Sequence, residues 1–256
     1  MGAVMKKWLF TLIGALGLSG FAQAADLAAG DCQAPKPQTD LSRCDYNGAN
    51  LSGRDLKGAR FGGKINNANF ENADLAGADF KSLDLKWTNF RGAKLAGADF
   101  SGGDLFHVVF DAADLYRTKL MKTNMFGSDL VDAKAQEADF TEAFLKDSIL
   151  EGIDLTNASM RKTNLRGAAI DKANLTGTDF SDSYMVGVAC EDCDFTNAKL
   201  VRANFGGAVV RFARFKGANL DNADFSTTDV MNANFEGALN LPQSAKDAII
   251  RYFVAK

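Results

Sequence analysis

The sequence predicts an all-β solenoid, a square coil with twenty residues to the turn. Three observations predict it. From Ala68 to Gly237 the chain repeats every five residues without insertion or deletion, as in Ala68-Asn69-Phe70-Glu71-Asn72 followed by Ala73-Asp74-Leu75-Ala76-Gly77. Of the thirty-four centres, every fifth residue from Phe70 to Phe235, twenty-six are Leu or Phe. Two places before the centre stands a small residue, Ala in nineteen units, Thr in six and Ser in three. An amphipathic helix repeats its apolar stripe about every 3.6 residues and a half-buried strand about every 2. A five-residue period satisfies neither. It suits a chain that runs straight for three residues, with the small residue and the centre pointing inward, and then turns a corner. Four sides close one coil, and coils stacked at the ~4.8 Å strand spacing bury each centre on its counterpart twenty residues later.

The elements follow in chain order. Lys6 and Lys7 precede an apolar run from Trp8 to Phe21, which ends in Ala22-Gln23-Ala24. A basic head, a short apolar core and a small-x-small exit are the marks of a secretory signal, so residues 1–24 are read as a signal peptide cleaved after Ala24. The run is too short to span ~30 Å of hydrocarbon as a helix. Without Lys6 and Lys7 the chain carries 27 basic and 32 acidic residues, a formal charge of −5. No cationic excess argues for phosphate neutralisation, so nucleic acid is not an expected partner.

Residues 25–45 read as an N-terminal loop and cap. Cys32 and Cys44 flank the kinked Ala34-Pro35-Lys36-Pro37, and an exported chain with four cysteines allows disulfides to persist, so these two are paired. Cys190-Glu191-Asp192-Cys193 admits three readings: two buried thiols in core slots, a tight local disulfide, or a redox or metal half-site. The redox reading lacks a helix N-terminus to stabilise a thiolate. The zinc reading lacks nearby soft ligands. The repeat itself is placed at 46–240, with Tyr46, Leu51, Leu56 and Phe61 as early centres. One residue is missing between Phe61 and Ile65, which predicts a local irregularity. Pro242 near a helix entry and Ala245, Ile249, Ile250 and Phe253 on one helical face predict a C-terminal capping helix within 241–256, with a homodimer contact as the rival use of that face.

The unit A-[DN]-[LF]-x-x, as in Ala78-Asp79-Phe80-Lys81-Ser82 and Ala218-Asn219-Leu220-Asp221-Asn222, resembles the pentapeptide-repeat family over about three quarters of the chain. The resemblance implies a right-handed quadrilateral β-helix. It does not imply one function, because that family includes DNA-shaped inhibitors of type II topoisomerases as well as exported proteins without an assigned role, and fold is no warrant for activity.

Columns twenty residues apart turn the sequence into a surface map. Asp74, Lys94, Asp114, Lys134 and Asp154 alternate in sign and read as a stack-supporting ladder. Phe106 and Phe126 share an outward column between Lys86 and Lys146, and Trp87 and His107 share the next. Val109 and Ile149 adjoin one edge, and Phe144 and Tyr184 the other. Large apolar groups at positions that favour polar residues mark a contiguous patch of the kind that binds a partner, with Trp87, Phe106 and Phe126 as anchors. The competing explanation is aromatic stacking for its own sake. His107 has no Ser, Cys or carboxylate arranged around it as a triad, and no phosphate-cradling Gly-rich loop is present. Neither a cofactor nor a metal is implied. The expectation is therefore an exported, non-enzymatic interaction scaffold, in a periplasm or a thylakoid lumen, binding a protein or envelope component. The alternative is a DNA-mimicking inhibitor of a type II topoisomerase such as gyrase, which would need cytosolic residence and a strongly acidic face.

Overall fold

The computed structural model describes residues 27–254. The expected signal peptide, residues 1–24, lies outside them, as do residues 255–256. Strands β1 (Ala28–Ala29), β2 (Thr39–Leu41) and β3 (Arg60–Phe61) pair in parallel in the order β1-β2-β3. Beyond them the coil continues as parallel bridges between residues twenty apart, without interruption from Asn69↔Asn89 to Asn219↔Leu239.

One unit shows why the sequence closes this way, because each of its five amides has a defined acceptor. Asp99 N donates to Ala78 O in the coil before, at 2.9 Å, and Phe100 N to Lys119 O in the coil after, at 2.8 Å. Ser101 N donates back to the Asp99 carboxylate at 3.0 Å. Gly102 N reaches Met121 O in the next coil at 2.8 Å, and Gly103 N closes the corner on Phe100 O at 2.9 Å. The Asp or Asn before each centre is thus an Asx-turn acceptor. The second corner residue takes a positive φ, 71° at Gly102, in the pattern of a type II turn. Gly, Asn and Asp recur there for that reason.

Inside the tube the centres are buried, and so are nearly all the small residues beside them, until the last coil leaves Phe235 and Ala233 partly covered. Burying one such Leu or Phe contributes about 1.5–3 kcal/mol, repeated in every unit. Most Ser and Thr at the small position satisfy their hydroxyls by donating to a centre carbonyl one coil earlier, as Thr118 does to Leu95 at 2.9 Å and Ser148 to Met125 at 2.7 Å, while Thr123 and Thr163 donate to the centre just before them.

The missing residue after Phe61 appears as three bridges with a spacing of nineteen, Asn50↔Asn69, Asp55↔Asp74 and Arg60↔Asp79. Stacking also reaches further toward the N-terminus than Tyr46. Leu41 is fully buried and pairs with Phe61, so the first side of the coil lies inside the segment read as a loop. Cys32 and Cys44 are joined, with Cα atoms 5.4 Å apart.

The C-terminal helix α1 spans Gln243–Val254. Ser244 fixes its start, its hydroxyl accepting from Phe225 N at 3.1 Å and donating to Ala223 O at 3.2 Å. Its inward face differs from the expected one. Ala245 and Ala248 are buried and Ile249 and Tyr252 pack beside them, whereas Ile250 and Phe253 are 56% and 66% exposed. Alanine lets the helix lie close over the last coil, and proximity decides the face here more than side-chain apolarity does.

Candidate functional site

The corner that follows the centres Leu85, Leu105 and Met125 carries the aromatic wall. Phe106 stacks on Phe126 in the next coil, with centroids 5.5 Å apart and planes 7° from parallel, and Phe126 stacks on Phe144 at 6.3 Å. In the neighbouring column Trp87 stacks on His107 at 4.4 Å and 8°. The two columns meet edge to face, Trp87 on Phe106 at 5.5 Å and His107 on Phe106 at 4.3 Å. Such pairs contribute ~0.5–1.5 kcal/mol each beyond burial. Because the rings stack along the coil axis, the wall presents mostly ring edges to solvent, with Trp87 at one end more than half exposed.

Two backbone features place these rings. Trp87 and His107 occupy the second corner position, with φ of 61° and 53°. A bulky residue is rare in that region and strained. Below His107 stands Gly127, where a Cβ would lie 2.5 Å from the imidazole Cε1, so the missing side chain makes room for the ring. The Lys146 ammonium lies 5.4 Å from the Phe126 ring centroid and 3.3 Å from Asp147. Lys86 is held by Asp104 at 3.0 Å and Asp84 at 3.2 Å. Hydrogen bonds from Asp104 and Asp84 raise the Lys86 ammonium above its ordinary range.

Trp87, Phe106, His107, Phe126 and Phe144 therefore form one cluster. Val109 and Ile149 lie on the adjoining face with Asp129 between them in the column. Tyr184 stands apart, since Asn164 occupies the coil between it and Phe144. The sequence map missed Ala169, Ala189 and Val209, which continue the Ile149 column through three further coils. A search for outward columns without charge would have found them. Seven of the thirty-four units from Phe70 to Phe235 carry an apolar residue or Tyr where Asp or Asn serves the turn, namely Val109, Phe144, Ile149, Ala169, Tyr184, Ala189 and Val209, and all seven fall on two adjoining faces.

The charge ladder is looser than its sequence suggests. Its residues are bridged in successive coils, but among the described residues only Lys94 reaches a ladder neighbour, Asp74 at 3.9 Å, while Asp154 accepts from Gln136 at 2.7 Å. Tighter pairs form at the corners, such as Arg202 with Asp182 at 2.6 Å and Arg117 with Glu137 at 2.7 Å.

Cys190 and Cys193 are both fully buried and joined by a disulfide, so the reading of two free thiols does not hold. The pair occupies a centre and the small position three residues on. Those two positions face each other across every corner, so the turn itself brings the sulfurs together. Among the described residues no group of three or more His, Cys, Asp or Glu side chains is placed to hold a metal ion, and no helix is long and apolar enough to cross a membrane.

The family model described as pentapeptide repeats matches in repeated, overlapping copies that span residues 62–127 and 138–237. No curated protein matches the chain. Among solved structures the chain is similar to HetL, a pentapeptide repeat protein involved in heterocyst differentiation regulation from the cyanobacterium Nostoc sp. strain PCC 7120. Identity is 26%, 76% of this chain and 89% of that one are covered, and the TM-score is 0.56. QnrB1, a plasmid-mediated fluoroquinolone resistance protein, aligns at 17% identity over 85% of this chain and 94% of its own, with a TM-score of 0.45. A pentapeptide repeat protein of the Arabidopsis thaliana thylakoid lumen aligns at 28% identity over 46% of this chain and 69% of its own, with a TM-score of 0.26.

Proposed function

The chain belongs to the pentapeptide-repeat family of right-handed quadrilateral β-helices, and from that premise we propose that it is an exported, non-enzymatic scaffold whose aromatic wall binds a protein or another envelope component. The observation that carries this reading is the contiguous cluster of Trp87, Phe106, His107, Phe126 and Phe144, set where most other units place polar or small groups. Strain at Trp87 supports a role beyond packing, because its stacking on His107 and Phe106 only offsets the cost of holding a bulky, half-exposed residue in a left-handed corner that Asn or Gly adopts more readily. Export to a periplasm or a thylakoid lumen is supported by the signal-like residues 1–24 and by the pairing of all four cysteines, which suits an oxidising compartment.

The imidazole of His107 has rings and Gly127 around it, so the wall offers contact surface and no nucleophile–base pair. Mimicry of DNA would call for a continuous acidic face, whereas Asp and Glu here are interleaved with Lys and Arg in pairs such as Arg202–Asp182, Arg214–Asp194 and Lys86–Asp104.

Capture from envelope fractions tests the reading. The unaltered protein is expected to retain a partner that Trp87→Ala, Phe106→Ala and Phe126→Ala each lose by tenfold or more. Equal recovery by all four proteins would remove the case for the wall.

A further inference from the structure

The face next to the aromatic wall has a different character. Its outward column runs Ile149, Ala169, Ala189, Val209, bridged coil to coil without a charge. The corner beside it carries Gly167, Gly187 and Gly207, which put no side chain above the strip; at Gly187 even an added Cβ would meet nothing within 4 Å. Each of the four apolar residues also forgoes the Asx turn bond that Asp or Asn makes elsewhere. The result is flat, uncharged and four coils long.

Its borders are charged, and with opposite sign. Lys146 and Arg166 stand on the corner before the strip, with Asp147 paired to Lys146 at 3.3 Å and Arg166 left as the unpaired cation, and Glu151 and Asp171 stand on the corner after it, in the same two coils. Lys172 lies one residue further round. Arg166, Glu151 and Asp171 enter no ion pair among the described residues, although most corner charges on this molecule do. A twofold axis running along the rod would exchange the two borders and keep each coil at its own level. Lys146 would then meet Glu151 of a second copy, and Arg166 would meet Asp171. A twofold axis across the rod would instead set the basic border against itself.

We propose that this face is a self-association surface, on which a second copy of the chain lies side by side and parallel, its Ile149–Ala169–Ala189–Val209 strip against the same strip. Charge complementarity of the surface with itself selects a second copy over an unrelated partner, and it fixes the orientation. Four coils at ~4.8 Å give a contact on the order of 400 Å² per copy, below the roughly 600 Å² per copy of stable specific interfaces, so the dimer is weak, transient and concentration-dependent. The aromatic walls of the two copies lie on opposite borders of the contact, because Phe106 and Phe126 continue the Lys146 and Arg166 column into the earlier coils. The proposal stands independently of what those walls bind.

Sedimentation over a wide concentration range tests it. The protein is expected to dimerise reversibly, with Ala189→Arg weakening the constant at least tenfold. Arg166→Glu should weaken it, and Arg166→Glu combined with Asp171→Arg should restore it. Ala169→Cys, which faces its own mate across the axis, should cross-link under mild oxidation far faster than Ser159→Cys on the opposite face. A monomer up to millimolar concentration, equal cross-linking at both positions, or no recovery in the charge-swapped double variant would each overturn the proposal. So would dimerisation that Phe253→Asp abolishes and Ala189→Arg leaves intact, because the contact would then belong to the C-terminal helix.

Discussion

Phe80 and Phe100 lie one directly above the other, with ring centroids 4.8 Å apart and planes 2° from parallel. Every inference about the surface depends on that vertical register, because it fixes which residues share a column. It also sets the energetics. Phe100 is fully enclosed, with Phe80 on one face and the edges of Phe90 and Phe110 beside it. Phe100→Ala is expected to destabilise by about 3–5 kcal/mol. Phe235→Ala, in a ring only partly buried at the last coil, should cost clearly less. Urea unfolding of both variants measures the difference.

Trp87 should behave in the opposite way. Asn accepts the left-handed corner more readily than Trp, while the stacking on His107 and Phe106 is lost. The two effects are each of order 1 kcal/mol and offset one another. Trp87→Asn is therefore expected to stay within about 1 kcal/mol of the parent in stability while losing partner capture. A loss on the scale of Phe100→Ala would mean that the wall is structural.

The two disulfides should reduce in a fixed order. Cys32 is exposed, whereas both sulfurs of the Cys190–Cys193 pair are buried in the tube. Graded dithiothreitol followed by alkylation and mass spectrometry is expected to label Cys32 and Cys44 first. By loop length, the Cys32–Cys44 bridge contributes about 3 kcal/mol and the shorter Cys190–Cys193 bridge about 2. Cys32→Ala with Cys44→Ala should therefore loosen the first coils more than the other pair loosens its corner.

Stability should pass through a maximum with pH. Burial, then the hydrogen bond and the charge of Asp129, push the Asp111 carboxyl up to about 6, and Arg91 only partly offsets them. The folded chain thus takes up a proton at a pH where the unfolded chain does not. The stability from that proton is complete below the ordinary carboxylate range and is lost as pH rises through about 6. Asp99 and Asp179 work the other way. Burial raises each, but hydrogen bonds from Ser101 and Ser181, with nearby Lys and Arg, outweigh it and hold both carboxyls below their ordinary range. Their stabilising effect is present at neutral pH and lost as the solution becomes strongly acid. Asp111→Asn is expected to remove the decline above about pH 6 and leave the acid limb in place, as thermal melts across pH would show.

The coil was legible because its constraints are local and repeated: a wrong residue at one centre is outvoted by its neighbours, so even Ala135 and Cys190 did not obscure the period. Columns followed by arithmetic, which is why Phe106 over Phe126 and Trp87 over His107 were found. Three things were not legible. Ala169, Ala189 and Val209 draw no notice singly, and only their vertical alignment gives them meaning. Tyr184 lies on the same face as Phe144 yet two coils away, a distance that a list of aromatic residues does not convey. The inward face of α1 depends on how closely the helix can approach the last coil, so Ala248 is buried where Ile250 and Phe253 had been expected to lie.

The nineteen-residue storey after Phe61 carries a consequence for how such a rod changes over generations. A storey one residue short is accommodated there, and every storey beyond it keeps its phase. The same loss near Leu150 would put a storey one residue short in the middle of both faces, breaking a corner there that the columns now cross without interruption. Length in this molecule is therefore tolerant at its tip and quantised in its middle, where whole storeys are the smallest change that leaves both walls intact.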